Sequence, residues 1–481
     1  MGLLNFFKKK QPQKQIRKSK RNYSGASNKT IYASWLGINS SADAEIQKSL
    51  RAIRGRAREL VQNNDYAKKF KRMVKTNVIG SKGIILQNRA QDSNGVLDKQ
   101  ANNLIEAQFK DWSKKGVCDV TGKYSLVDLQ KIIISNMAID GEVLIRKVKG
   151  YPNAFGYALQ IIEADHLDEQ FNDKDRNISM SIEFDKWSKP IAYHIFKNHP
   201  TTLGGNNERE RVKADEIIHL FIPDRVSQTR GVTWLHSAMT RLNMLGGIEE
   251  AVLVAKRASA SKMGFFTKPA GETYEGDEVD ENGTPIQDAE AGHFEMLPDG
   301  WDFKAYDPQD STNNFADFEK AILRGIASGL DVSYNSLAND LEGVSYSSIR
   351  AGVLEERDVW KDLQSYMIEH FMTPIYEEWL KMSLLTGAVA LPFTKFDKFN
   401  NPNWLPRAFA WVDPLKDTTA NILAVKEGFK TMAQIASENG QDLEEIYQQL
   451  AREKDLREQY KITTLGDAQL LEILSSINGE N

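Results

Sequence analysis

Between Trp234 and Phe265 the sequence carries apolar residues at helical spacing over an unusual length. Leu235, Met239, Leu242, Leu245, Ile248, Val252 and Ala255 fall on one stripe. The periodicity predicts a single helix over 234–265, roughly 45 Å long at 1.5 Å per residue. A second stripe, Phe315, Phe318, Ile322, Ile326 and Leu330, predicts a helix over 312–330 with Gly329 as its C-terminal stop. A third begins at Ile349 and Val353 and ends at Ile375 and Trp379. It predicts a helix over 346–386 that Pro374 kinks. Stripes of this length on slender helices need neighbours. Near the end of the first helix, "AKRASASKMG" is small-sided and basic, which lets adjacent helices approach closely.

A chain of 481 residues exceeds one ordinary core, so two to four domains or subdomains are expected. A hydrophobic content of 41% and a charged content of 27% match a soluble globular protein. With a net charge of −4 the molecule is no polycation, so any nucleic-acid contact is local. Cys118 is the only cysteine, which excludes an internal disulfide and a cysteine-based zinc cluster. No apolar run approaches the length of a membrane span. The start "MGLLNFFKKK" puts its apolar residues before its lysines, the reverse of a secretory signal.

Residues 1–40 contain no Asp or Glu and form a basic arm, expected to be disordered at least to Thr30. The arm reads either as a phosphate or capsid-wall contact or as a solvated tail. A helix is predicted from Ser41, with Ser40 and Asp43 in capping-box spacing, and "NND" at 63–65 punctuates it. Helices also fit 97–114 and 125–139. The stretches "EVLIRKV", "YALQIIEA", "SMSIEF", "IAYHIF" and "IIHLFI" read as strands, several half-buried and antiparallel, so 41–230 reads as one α+β domain. Residues 266–308 are acidic and turn-rich, with strands expected at "HFEML" and "DFKAY". A strand-like "AFAWVDP" and three or four short helices over 418–475 close the chain.

Catalytic signatures are sparse. "GVCDVTGKY" has five residues between its glycines and Tyr124 where a Walker A loop needs Ser or Thr, so it reads as a turn. No G-x-G-x-x-G opens a helix after a strand. "EADHLDEQ" offers Glu163, Asp165, His166, Asp168 and Glu169, a set able to bind a divalent metal but equally a solvated strand-end loop. His194 and His199 read as ordinary half-buried histidines. Ser347 and Ser348 lack nucleophile-elbow glycines, and Cys118 has no nearby histidine. No catalytic residue, metal ligand or cofactor is assigned.

"LANDLEGVSYSSIRAG", Leu337–Gly352, interrupts two strongly helical segments with a polar, acidic, glycine-bearing loop. Read from its residues alone, it either presents something or is a surface turn whose charges solvate it.

Three stretches, "ADEIIHLFIPDRVSQTRGVTWLHSAM", "ILRGIASGLDVSYNSLANDLEGVSYSSIRAGVLEERDVW" and "WVDPLKDTTANILAVKEGFKTMAQIASENGQD", resemble the lambda-type tailed-phage portal proteins. The resemblance covers roughly residues 30–460 and is most specific at "GVSYSSIRAG" and "WVDPLKD". It implies an α+β portal fold of wing, stem, clip and crown, assembling as a ring, usually a dodecamer, at one capsid vertex. The wing would be 41–230 with parts of 353–417, the stem helices 231–264 and 309–335, and the clip 265–308. The tunnel loop would be 336–346, the tunnel helix and return to the wing 347–417, and the crown with the C-terminal tail 418–481.

Implied partners are double-stranded DNA in the channel, terminase, major capsid and scaffold proteins, and head-completion or tail proteins, with no membrane. The place is the virion, and the host cytoplasm during assembly. ATP hydrolysis would belong to the terminase, so the chain is expected not to be an enzyme. The channel residues implied are Asn339, Asp340, Leu341, Glu342, Gly343, Val344 and Ser345. Lys256, Arg257 and Lys262 would bind phosphate in the lower channel or form inter-subunit salt bridges. Twelve helices spaced about 10 Å apart around a ring leave a lumen of roughly 28 Å, enough for a duplex of about 20 Å. Acidic collars of Asp340 and Glu342 would touch DNA without the tight phosphate binding of Lys or Arg. Two rival readings remain: a metal-dependent nuclease using the 163–169 carboxylates, and another virion adaptor scaffold with the same helices in a bundle.

Overall fold

A computed structural model describes residues 39–202, 208–260, 264–267, 278–279, 285–286, 302–305, 315–343, 345–409, 414–439 and 441–460. Residues 1–38 of the basic arm, Val344, Lys262 and the 293–297 stretch expected as a strand lie outside the described residues.

Helix α1 (Ala42–Asn63) is capped by Ser41, which accepts from the Ala44 amide at 3.3 Å. The cap falls one residue later than the Ser40–Asp43 spacing predicts. Ser40 donates to Glu45 instead, while Asp43 accepts from Thr229 across the fold. Asn64 ends α1 and caps α2 (Asp65–Val74) through the Ala67 amide. After a wide π turn at 75–79 come β1 (Ile85–Asn88), α3 (Lys99–Trp112) and α4 (Leu126–Asp140). A reciprocal Ser125–Asp128 capping box opens α4.

Strands β2 (Glu142–Lys149), β3 (Tyr157–Ile162), β4 (Ile178–Ser179), β5 (Ile182–Phe184), β6 (Pro190–Phe196), β7 (Arg209–Lys213) and β8 (Ile217–Phe221) follow. They form two antiparallel sheets, of order β3-β2-β8 and β4-β5-β6-β7. "SMSIEF" is not one strand. Met180 and Ser181 take positive φ (45° and 72°) and fold it into a hairpin.

Helix α5 (Met239–Ala260) starts five residues later than predicted, because the Trp234 amide is tied to the Ala138 carbonyl at the end of α4 (3.0 Å). Beyond it lie β9 (Gly264–Thr267), β10 (Glu278–Val279), β11 (Pro285–Ile286) and β12 (Asp302–Ala305). β9 pairs with β12 and β10 with β11, both antiparallel. Helix α6 (Phe315–Gly329) keeps Gly329 within it rather than as its stop, and Asp331 takes the left-handed turn (φ 53°). Gly329 serves contact instead. Ser237 donates to its carbonyl at 2.6 Å, and a Cβ there would sit 3.0 Å from that hydroxyl.

The chain continues through α7 (Tyr334–Ala338), α8 (Tyr346–Met367), a π turn at 368–372, and α9 (Thr373–Thr386). The irregularity comes just before Pro374, whose missing N–H cannot join the ladder; it takes the form of a widened turn. Next come α10 (Phe396–Phe399), β13 (Pro402–Leu405), α11 (Pro414–Lys426), α12 (Met432–Glu438) and α13 (Leu443–Gln459). Strand β13 pairs antiparallel with β1, more than 300 residues earlier in the chain. Of the 408–414 stretch expected as a strand, Ala408 and Phe409 are irregular, 410–413 lie outside the described residues, and Pro414 opens α11.

The main core joins distant parts of the chain. Trp379 of α9 lies fully buried against Phe109 of α3 (ring centroids 4.9 Å), and Trp112 stacks on Tyr157 of β3 at 5.7 Å. Leu235, Met239, Leu242 and Leu245 are buried in the same core, as are Leu323 and Ile326 of α6. The stripe is therefore covered within one copy only over its first turns. Beyond Leu245, Ile248 is 37% exposed and Leu253 64% exposed.

Candidate channel loop and the elements that hold it

Ser333 caps α7 by accepting from the Ser336 amide at 3.2 Å, and Ser345 caps α8 by accepting from the Ser348 amide at 3.2 Å. Between the caps the chain turns twice through left-handed conformations, at Asn339 (φ 55°) and Gly343 (φ 67°). Space around Gly343 is open, so glycine is required there by backbone angle rather than by crowding. Leu341 stands exposed at the tip.

Asp340 accepts from the Tyr334 hydroxyl at 2.7 Å and from the Glu342 amide at 3.0 Å. These bonds, the tyrosine's first, hold its carboxyl below the usual aspartate range. Burial and the neighbouring Asp340 push the Tyr334 hydroxyl up to about 12. Lys320 of α6 lies 3.6 Å from both Asp340 and Glu342, and Lys69 of α2 donates to Asn339 at 2.6 Å. The loop is thus pinned to α2 and α6. Its two carboxylates share one lysine, a detail that their position in the sequence does not reveal.

On α5, Lys256 and Arg257 are exposed near the helix end. Higher up, Glu249 is pushed above the usual glutamate range by burial and by Glu319 and Asp65. Tyr66 donates to Glu319 at 3.3 Å. Helices α5 and α6 cross closely at Gly325, where a Cβ would come 2.6 Å from an Arg241 guanidinium nitrogen.

The chain enters α5 from a buried charge cluster. Glu142, at the start of β2, is fully buried and accepts from Arg54 (2.7 Å), Arg230 (2.5 Å), His219 (3.0 Å) and the Gly231 amide (2.9 Å). Gly141 (φ 89°) and Gly231 pass backbone against backbone; a Cβ on Gly231 would lie 2.2 Å from the Gly141 carbonyl. Reading the sequence missed this cluster. Its only trace is the pair "GE" at 141–142 and "RG" at 230–231, which resemble turn residues.

The carboxylates of 163–169 are engaged one by one. Asp165 meets Arg54 (3.3 Å) and Arg58 (2.6 Å), Asp168 pairs with Arg209, and Glu169 with Arg51 at 2.9 Å. Among the described residues, one group, Glu163, Asp165 and His199, has donor atoms within 4.8 Å of one another. His199 is the member that the sequence reading set aside. Two guanidiniums already oppose the Asp165 charge, which argues against a divalent cation there. The Nδ1 of His166 lies 2.7 Å from the Phe196 carbonyl, and His194 lies 3.2 Å from Glu183. Cys118 is buried and its thiol is pushed up to about 12 by burial and by Asp119, the opposite of a reactive cysteine.

A family model described as phage portal protein, lambda family, matches residues 28–364. The probable portal protein of Halomonas phage phiHAP-1 is 38% identical over 437 residues, covering 87% of this chain and 83% of that protein. Portal protein B of Escherichia phage lambda is 21% identical over 468 residues, covering 87% and 86%. Among solved structures, the neck of an empty gene transfer agent particle aligns at a TM-score of 0.44 and 14% identity, covering 80% of this chain and 93% of that one. The chain belongs to the lambda family of phage portal proteins, and its function is that of a portal, the connector between phage head and tail. The family is a structural one, and portal proteins are virion components.

Proposed function

We propose that the chain closes head-to-tail into a ring of twelve copies around a DNA channel, with the loop 336–346 facing the passing duplex. The observation that carries the ring is the uncovered lower half of α5. Ile248, Leu253 and Val254 are 37%, 64% and 58% exposed on a helix whose upper turns place Met239, Leu242 and Leu245 in the core. An apolar face of this kind marks an interaction surface, and repetition of the same contact closes a ring. Asp340 and Glu342 would repeat once per copy as acidic collars, with Lys320 moderating their charge and Gly343 keeping the tip compliant.

In this reading 265–308 faces the terminase during packaging and head-completion or tail proteins afterwards, and 418–481 faces the capsid interior. Capsid and scaffold proteins surround the ring during assembly in the host cytoplasm. The chain itself performs no catalysis, and a separate motor hydrolyses ATP.

Negative-stain microscopy of the purified protein tests the ring. Annular particles with a central hole are expected, and Leu253→Asp with Val254→Asp should leave only small species in sedimentation velocity. Compact single copies from the unaltered protein at all concentrations would overturn it. Asp165→Asn with Asp168→Asn should leave the rings intact. Duplex cleavage by the parent that this pair abolishes would favour the nuclease instead.

A further inference from the structure

Helix α2 opens a stretch of one sign. From Tyr66 to Gln91 the sequence contains no Asp or Glu, while Lys68, Lys69, Lys71, Arg72, Lys75 and Lys82 crowd into its first part. The helix sorts these cations. Ala67, Phe70, Met73 and Val74 are buried in the main core. Lys68, Lys71, Arg72 and Lys75 recur at i, i+3, i+4 and i+7 and form one row on the opposite face. Lys68, Arg72 and Lys75 are exposed, and Lys71 is half-buried.

Two ordinary explanations of surface lysines fall short. Among the described residues, none of the four side chains meets a carboxylate. Lys99, Lys114 and Lys197, also exposed, pair with Glu444, Asp111 and Glu208. The helix dipole favours cations in the last turn, which accounts for Lys71 and Arg72 but not for Lys68 near the start. Asp65, the one carboxylate of α2, stands in the first turn, and its charge acts on Glu249 and Tyr66. The row also has a fixed place. Lys69, beside it, donates to Asn339 at 2.6 Å, and α2 packs against α7, which leads into the 336–346 loop.

We infer that Lys68, Lys71, Arg72 and Lys75 bind the phosphate backbone of duplex nucleic acid beside the channel loop. The placement rests on the channel reading; the phosphate chemistry does not. Lysine is depleted from protein–protein interfaces, whose cores need apolar anchors, and no large apolar side chain of α2 is exposed. Nucleic-acid interfaces are far more positively charged. The row spans about 10 Å of helix, a length over which a duplex carries about six phosphate charges. The row would draw the backbone toward α2, and Asp340 and Glu342 nearby would limit how tightly it is held.

The test uses the full chain in two altered forms. A row variant carries Lys68→Gln, Lys71→Gln, Arg72→Gln and Lys75→Gln, which keep helix-forming side chains. A control variant carries Lys99→Gln, Lys114→Gln, Lys197→Gln and Lys398→Gln and removes the same charge elsewhere. Circular dichroism and thermal melting establish that each is folded. Binding of a short fluorescent DNA duplex is followed by anisotropy across a salt titration. The basic arm is present in all three proteins, so differences report the substituted residues. The row variant should bind at least about tenfold more weakly at low salt. Its slope of log affinity on log salt should be shallower by about 3 to 4, near 0.9 per lost phosphate contact. The control should keep the parent's slope.

Equal slopes for parent and row variant would overturn the inference and leave the ring standing. So would an equal loss in the control, which would make net charge the cause. A folded row variant that no longer forms rings in negative stain would also overturn it, by assigning the row to the contact between copies. Row-dependent duplex binding by a parent that forms no rings would keep the phosphate site and remove the channel reading.

Discussion

Glu142 shows how one residue can govern the base of a long helix. Burial alone would raise its pKa, but Arg230, His219 and Arg54 outweigh burial and hold the carboxyl well below the usual glutamate value. A group depressed in this way contributes stability that is complete above its unfolded pKa of about 4.3 and is lost as pH falls toward the folded value. Glu142→Gln would strand two buried guanidiniums and should cost about 3–5 kcal/mol in chemical denaturation. The variant's stability should also vary less with pH below about 4.3 than the parent's; equal slopes would count against the assignment. The two glycines at issue differ in kind. Gly231→Ala forces a Cβ into backbone and should cost about 3 kcal/mol or more. Gly343→Ala meets open space and should cost only about 1 kcal/mol, for its left-handed backbone. Tyr334→Phe should let the Asp340 pKa rise toward the ordinary aspartate range, read by carboxyl NMR titration; an unchanged value would remove the tyrosine from that role.

At the scale of elements, the caps decide where the loop begins and ends. Ser345→Ala removes the acceptor for the Ser348 amide and should cost about 1 kcal/mol. Hydrogen exchange should then speed up in the first turn of α8 and not in α9. Helical existence was legible in the sequence wherever an apolar stripe ran for several turns, as in α3, α4, α6 and α8. Boundaries were less so. Helix α5 starts where the Trp234 amide finds the Ala138 carbonyl, and α6 runs through Gly329 because Ser237 takes up its carbonyl. Strands β1 and β13 went unread, each being only four residues long and stabilised by a partner far along the chain.

Across the whole molecule, stability is divided unevenly. Trp112, Tyr157, Tyr376 and Trp379 lie fully buried in one core, and burying an aromatic side chain contributes roughly 2–3 kcal/mol each. The lower half of α5 has no such cover. Amides of 246–257 should exchange quickly in dissociated subunits and become protected when the ring forms, while those of α9 stay protected in both states. Protection of 246–257 in the dissociated chain would mean that the exposed residues are not the interface.

The order of long helices, the acidic loop between two of them and the portal resemblance all follow from the sequence alone, because helical periodicity and turn chemistry act within a few residues. Only the tertiary structure decided which charges meet. Arg54, Arg230 and His219 converge on Glu142 from positions up to 88 residues away, and Lys320 reaches across to Asp340 and Glu342 from another helix. It also decided that the α5 stripe divides into a covered half and a bare one. Burial and charge pairing depend on neighbours in space, and chain topology, not local spacing, chooses those neighbours.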